Sequence, residues 1–186
     1  NRIKIADIGL SKENGAKAVI LLAGPTGVGK TELVKLISKN IKENNEKKAE
    51  DGSNIDKENL IRIDMGEYQE EHTVSKILGS PPGYLGYNDK EDTTVFDRVK
   101  KSPNAIILLD EIEKGHDNVL DVFIHIFDEG KATDNRQREV DFSNNIIFLT
   151  TNIGAKEVTK NKVGFDVTQN TNLEKIGTYK KALESK

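Results

Sequence analysis

Three short, uninterrupted apolar runs break up a polar chain: AVILLA at 18–23, AIILL at 105–109 and IIFL at 146–149. Runs of this length, each closed by polar or glycine-rich residues, read as strands buried on both faces rather than as the alternating strands of a half-wet sheet. A fourth segment, LIRIDM at 60–65, keeps the alternation of a strand with one wetter face. Elsewhere the apolar positions switch to helical spacing: Leu33, Val34, Ile37 and Ile41; Val74, Ile77 and Leu78; Val95, Phe96 and Val99; Val119, Leu120, Phe123 and Phe127. Strands alternating with amphipathic helices predict an α/β fold, with a mostly parallel sheet flanked by helices on both faces. Such folds bind ligands at the carboxyl ends of their strands.

One stretch departs from this pattern. Residues 42–59, KENNEKKAEDGSNIDKEN, include only Ala49 and Ile55 as apolar residues, too little to offset the entropy of ordering, so a mobile polar insertion is expected there. The remainder of the 186 residues fits one domain. With 28 basic against 31 acidic residues the net charge is -3, which offers no global field for nucleic acid or an anionic membrane. The absence of cysteine excludes a disulfide framework and thiolate metal sites. His72, His116 and His125 show no metal-ligand spacing and read as surface or packing residues. No apolar run approaches the roughly 18 residues of a membrane span, and the opening NRIKIADIGL lacks the make-up of a secretion signal. A soluble protein without nucleic-acid or membrane partners is expected. A start without methionine and a close inside an apparent helix, LEKIGTYKKALESK, lead us to expect a piece of a longer chain.

The first apolar run ends in GPTGVGKT, comprising Gly24, Pro25, Thr26, Gly27, Val28, Gly29, Lys30 and Thr31. Glycines at this spacing, between a strand and a helix, let backbone N–H groups wrap a phosphate. Lys30 would reach the β and γ phosphates, and the Thr31 hydroxyl would ligate Mg²⁺. The second run ends in Asp110 and Glu111, two carboxylates at the carboxyl end of a buried strand. Asp110 is expected in the Mg²⁺ shell and Glu111 to polarise the water that attacks the γ-phosphate. The third run leads to Asn152, suited to orienting that water. ATP and Mg²⁺ are therefore the expected ligands.

Two of the four tyrosines, Tyr84 and Tyr87, sit in PPGYLGYND at 81–89, where proline and glycine disfavour helix and central strand alike. They read as displayed. Together, GPTGVGKTEL, IRIDMGEY, GSPPGYLGY, ILLDEIEK and VDFSNNIIFLTTNIGA resemble the second ATPase module of the Clp protein-unfolding AAA+ machines, from about Gly9 to Ala155. The resemblance implies a P-loop AAA+ large subdomain spanning 1–186 and a homo-hexamer in the full-length protein. It implies that Gly83, Tyr84, Leu85, Gly86 and Tyr87 form a pore loop that grips unfolded protein substrates, with Tyr84 the main gripping residue. It also implies that an adenine-contacting segment lies ahead of Gly9. An arginine finger and a second sensor arginine would follow Lys186.

Within that family, protease-feeding members resembling ClpA and ClpC carry an aliphatic-Gly-Phe tripeptide after the sensor strand, which docks on a ClpP-type protease. Val163, Gly164 and Phe165 match it in type and position, on a tail (156–186) expected to be partly mobile. The disaggregase branch resembling ClpB shares the other motifs and stays open as the alternative. Two remoter readings are a clamp-loader-like ATPase, which the acidic balance and the aromatic loop disfavour, and a nucleotide-sensing module without turnover, which Lys30, Asp110 and Glu111 argue against. Bacterial cytoplasm and an organelle such as a plastid are equally compatible with the sequence.

Overall fold

The computed structural model describes residues 4–7, 15–48, 58–81, 83 and 94–152. Within them lie β1 (Lys4–Asp7), β2 (Ala18–Ala23), α1 (Lys30–Lys48), β3 (Leu60–Asp64), α2 (Ser75–Leu78), α3 (Val95–Lys101), β4 (Ile106–Asp110), α4 (Asp117–Glu129), β5 (Lys131–Thr133), β6 (Glu139–Asp141) and β7 (Ile146–Thr151). Short 3₁₀ turns cover Met65–Glu67, Glu71–Val74 and Ile112–Lys114. Five strands form one sheet in the order β1-β2-β7-β4-β3. The β2–β7, β7–β4 and β4–β3 pairs are parallel, and only β1 runs antiparallel to its neighbour.

Both faces of the sheet are covered, as the continuous apolar runs predict. On one face Leu22, Ile106, Leu108 and Phe148 pack against Val34 of α1, with Leu33 and Ile37 beside them. On the other, Ile61, Ile63, Ile107, Leu109, Ile147 and Leu149 meet Ile77 of α2, Val95, Phe96 and Val99 of α3, and Val119, Leu120, Phe123 and Ile126 of α4. Alternate residues of each strand feed opposite cores, so β4 is buried at every position.

The topology places the site. After β2 the chain crosses to β3 at the far edge, returns through β4, and inserts β7 between β4 and β2. This brings the carboxyl ends of β2, β7 and β4 side by side, at the crevice where α/β sheets bind ligands.

Three features depart from the sequence reading. First, α1 continues to Lys48, through the first part of the stretch expected to be mobile. Lysine and glutamate are good helix formers and extend a helix already nucleated. Residues 49–57 of that stretch lie outside the described residues. Second, β1 adds an antiparallel edge. Third, β5 and β6 form a hairpin paired from Lys131↔Asp141 to Thr133↔Glu139.

The turn of that hairpin fastens the segment ahead of α3. The Asn135 amide donates to the Leu78 carbonyl at 3.0 Å, and its Nδ2 donates to the Gly79 carbonyl at 2.6 Å. Arg138 donates through Nη2 to Asp97 at 2.7 Å and through Nε to Asp134 at 2.6 Å. Burial alone would raise the Asp97 carboxyl, but hydrogen bonds from Thr94 and Arg138, with the Arg138 charge, outweigh it and hold the group below its ordinary 3.8. Arg138→Ala strands two buried carboxylates, so unfolding in urea at about pH 7 should show a loss of about 3 kcal/mol. This is the low end for a broken buried pair, because the arginine side chain is itself 37% exposed. A depressed carboxylate contributes stability above its ordinary pKa and loses it as pH falls through the folded value, so the penalty should shrink below about pH 4. A penalty independent of pH would assign the loss to packing instead.

Candidate active site

The loop after β2 opens with the Gly24 amide donating to the Thr151 carbonyl at 3.2 Å, which ties its start to β7. Gly27 and Gly29 then take positive φ values of 78° and 91°. An L side chain would be strained at either, and open space lies on the side where a Cβ would project. The chain thus turns with bare backbone toward the crevice and enters α1 at Lys30, where the first amides of the helix have no intrahelical acceptor. Exposed glycine backbone leading into a helix N-terminus fits a phosphate group.

Lys30 is buried across the loop mouth. Its Nζ donates to the Gly24 carbonyl at 2.7 Å, the Pro25 carbonyl at 2.9 Å and Asn152 Oδ1 at 2.8 Å. Burial lowers its pKa from 10.5, against the opposing charges of Glu113, Asp110 and Glu111. Thr31 points to β4, its Oγ1 donating to both Asp110 oxygens at 3.0 and 3.1 Å.

Asp110 is enclosed by donors. Thr150 Oγ1 donates to its Oδ1 at 2.5 Å. Arg62 Nε and Nη2 donate to its Oδ2 at 3.0 and 2.7 Å. Burial would raise this carboxyl, yet the bonds from Thr150, Thr31 and Arg62 and the Arg62 charge leave it below 3.8, hence ionised. A carboxylate beside a hydroxyl is the hard-oxygen donor set that suits Mg²⁺. Among the described residues there is no group of three or more His, Cys, Asp or Glu placed to hold a metal alone.

Glu111 follows in left-handed geometry, φ 57° and ψ 53°. A non-glycine residue there carries local strain, which its surroundings must hold. They do: the Glu111 amide donates to Thr150 Oγ1 at 2.9 Å, Asn152 Nδ2 donates to Oε1 at 3.2 Å, and Lys114 Nζ lies 2.5 Å from Oε2. The Asn152 amide in turn donates to Glu113 Oε1 at 3.2 Å. Direct hydrogen bonds therefore join Lys30, Asn152 and Glu111 in one group and Thr31 and Asp110 in another, and the Thr150 hydroxyl bridges the two.

Four participants escaped the sequence reading: Arg62, Glu113, Lys114 and Thr150. Of these, Arg62 left a signal, a cation in the row Leu60, Arg62, Asp64 whose first member is apolar. His116 proves to be a capping residue, its Nδ1 accepting from the Asn118 amide at the start of α4. Of the aromatic loop only Gly83 is described, at φ +89° with open space around it. Tyr84, Leu85, Gly86 and Tyr87 lie outside the described residues, as do Val163, Gly164 and Phe165.

Comparison with known proteins gives the family. Residues 16–185 match the family described as AAA domain (Cdc48 subfamily). The chain is 42% identical over 164 residues to the chaperone protein ClpB of Clostridium perfringens, covering 88% of this chain and 17% of that protein. It is 40% identical over 180 residues to an ATP-dependent Clp protease ATP-binding subunit ClpA homolog of Guillardia theta, covering 96% and 20%. It is 39% identical over 170 residues to the negative regulator of genetic competence ClpC/MecB of Bacillus subtilis, covering 91% and 19%. The chain thus spans about a fifth of the length of these relatives.

Proposed function

We propose that this chain, which belongs to the AAA domain family (Cdc48 subfamily), is the ATP-hydrolysing module of a hexameric machine that pulls on unfolded polypeptide. The observation that carries this reading is the convergence of Lys30, Thr31–Asp110 and Glu111–Asn152 at the carboxyl ends of three adjoining strands. Each has a distinct task in phosphoryl transfer to water. The loop amides and Lys30 bind the β and γ phosphates once Lys30 exchanges its Gly24 and Pro25 carbonyl partners for phosphate oxygens. Thr31 and Asp110 hold Mg²⁺, which when bound offsets the charge of the phosphates. Glu111 accepts a proton from the attacking water as its oxygen bonds to the γ-phosphorus and the bond to the bridging oxygen breaks. Asn152, already within reach of Glu111 and Lys30, aligns that water.

Tyr84 and Tyr87, on the glycine-flanked loop, are the proposed grip on substrate. Aromatic faces suit a sequence-tolerant contact with passing chain. We place the protein in the protease-feeding branch on Val163, Gly164 and Phe165, a short apolar insert between polar neighbours. An aromatic on such a segment can act as a small hot spot in a preformed cleft. Several loops of one ring engaging one protease gain further from effective concentration. The likeness to ClpB proteins supports disaggregation as the second reading. Among the described residues no helix is long and apolar enough to cross a membrane.

The test uses the full-length protein, a ClpP-type protease and a tagged folded substrate. Wild type should unfold the substrate only with ATP and pass it on for degradation. Phe165→Ser should abolish degradation while unfolding and ATP hydrolysis stay within about twofold, since a hot-spot contact outside the nucleotide site is lost. Undiminished degradation by that variant would favour the disaggregase reading. Absence of ATP-dependent unfolding by wild type would overturn the translocase itself.

A further inference from the structure

We propose that Arg62 is a resident counter-ion that keeps divalent cations out of the site until nucleotide phosphates bring one, a proposal that rests on Thr31 and Asp110 being the protein's ligands for the metal. Arg62 sits on the α1 face of β3, where its strand neighbour Leu60 and its register partner Leu108 both belong to the apolar packing of that face. An arginine in that row calls for a reason, and the register supplies one. Asp64, two residues on and therefore on the same face, pairs with Asp110 across the β3–β4 ladder. Two carboxylates stand side by side at the sheet edge, with the Thr31 hydroxyl on one of them.

The guanidinium fills the bay between them. Its Nη2 lies 2.7 Å from Asp110 Oδ2 and 3.6 Å from Asp64 Oδ2. Asp64 is held for this purpose, because its other oxygen accepts from the Gly66 amide at 3.0 Å. The Asp110 carboxylate is 6% exposed, whereas the arginine side chain is 47% and the Asp64 side chain 39% exposed. The cation therefore reaches a buried anion from the solvent side and can withdraw the same way. It occupies the oxygens that a hard divalent ion would seek, and it repels such an ion. At a separation of about 5 Å, removing one positive charge from beside a divalent cation favours the cation about tenfold even at the dielectric constant of water. With Arg62 in place, the protein alone makes a poor cage, and the metal must arrive with phosphates that add the missing anions.

The experiment is a Mn²⁺ titration of this chain by calorimetry, without nucleotide. Wild type should bind weakly, and Arg62→Met should bind at least about tenfold more tightly. Arg62→Lys, which keeps the charge, should stay near wild type, and adding Asp64→Asn to Arg62→Met should reverse the gain. Far-UV circular dichroism verifies folding, and Arg62→Gln replaces Arg62→Met under the same criterion if the methionine variant does not fold. Unchanged Mn²⁺ affinity in the folded neutral variant, or a lysine variant as tight as the neutral one, overturns the proposal. Mg²⁺-dependent ATP binding by the full-length wild-type protein is measured in parallel. Its presence beside a failed Mn²⁺ result sinks only the counter-ion role, whereas its absence sinks the nucleotide-site reading.

Discussion

Glu111→Gln in the full-length protein is expected to retain ATP binding while hydrolysis falls by about 10²- to 10⁴-fold, the range contributed by a positioned general base. The carboxylate sits at the mouth formed by β4 and β7, touched by Asn152 Nδ2 and the Lys114 ammonium. The loop amides and Lys30, proposed to bind phosphate, and Thr31, proposed to hold Mg²⁺, make no hydrogen bond to it. Glutamine keeps the shape and the contact with Asn152 but accepts no proton from water. Binding and turnover should therefore separate. The full-length protein is the right sample because a trans-acting arginine is worth about 10³- to 10⁵-fold in such enzymes. Single-turnover hydrolysis with equilibrium binding of labelled ATP makes the measurement. Near-normal hydrolysis would show that another group activates the water, and weakened binding would move Glu111 into the phosphate cradle.

The parts of the fold legible in the sequence are those where burial leaves no choice. AVILLA, AIILL and IIFL could hide from water only inside a sheet covered on both sides, and β2, β4 and β7 fall there. Because such strands present their carboxyl ends to the ligand crevice, Asp110, Glu111 and Asn152 could be placed from position alone. Where energetics are shared among weak terms, the sequence is less telling. β5 and β6 have three residues each, too few for an alternation to register. The helical reach of α1 to Lys48 comes from the propensities of polar residues, which composition alone reads as an excursion. Thr150 looked like an ordinary strand residue, yet its hydroxyl touches both Asp110 and the Glu111 amide. Arg62 looked like a wet position of an alternating strand. Its partner Asp110 lies 48 residues further along the chain and is brought beside it by the β3–β4 register, which no local pattern encodes.

Lys30→Met should lower ATP affinity at least about 100-fold, since a charged group's hydrogen bonds are worth roughly 1.5–3 kcal/mol each and Lys30 is placed to make more than one to phosphate. The same substitution should not lower thermal stability. The ammonium is buried against two carbonyls and an amide oxygen, and burial depresses its pKa despite three neighbouring carboxylates. A lysine whose folded pKa is depressed is one whose charged form the fold disfavours, so near neutral pH the protonated group detracts from stability. Methionine fills a similar volume without a charge to desolvate, while the Gly24 and Pro25 carbonyls lie at the loop mouth within reach of water. Burial, the largest influence on Lys30, outweighs the neighbouring carboxylates, and phosphate would add anionic charge in direct contact with the ammonium. Calorimetry with ATP and Mg²⁺, paired with thermal unfolding of the same samples, reads both effects. A variant that binds ATP normally but melts well below wild type would make Lys30 a strut between the loop and β7, and the phosphate-binding assignment would fall with it.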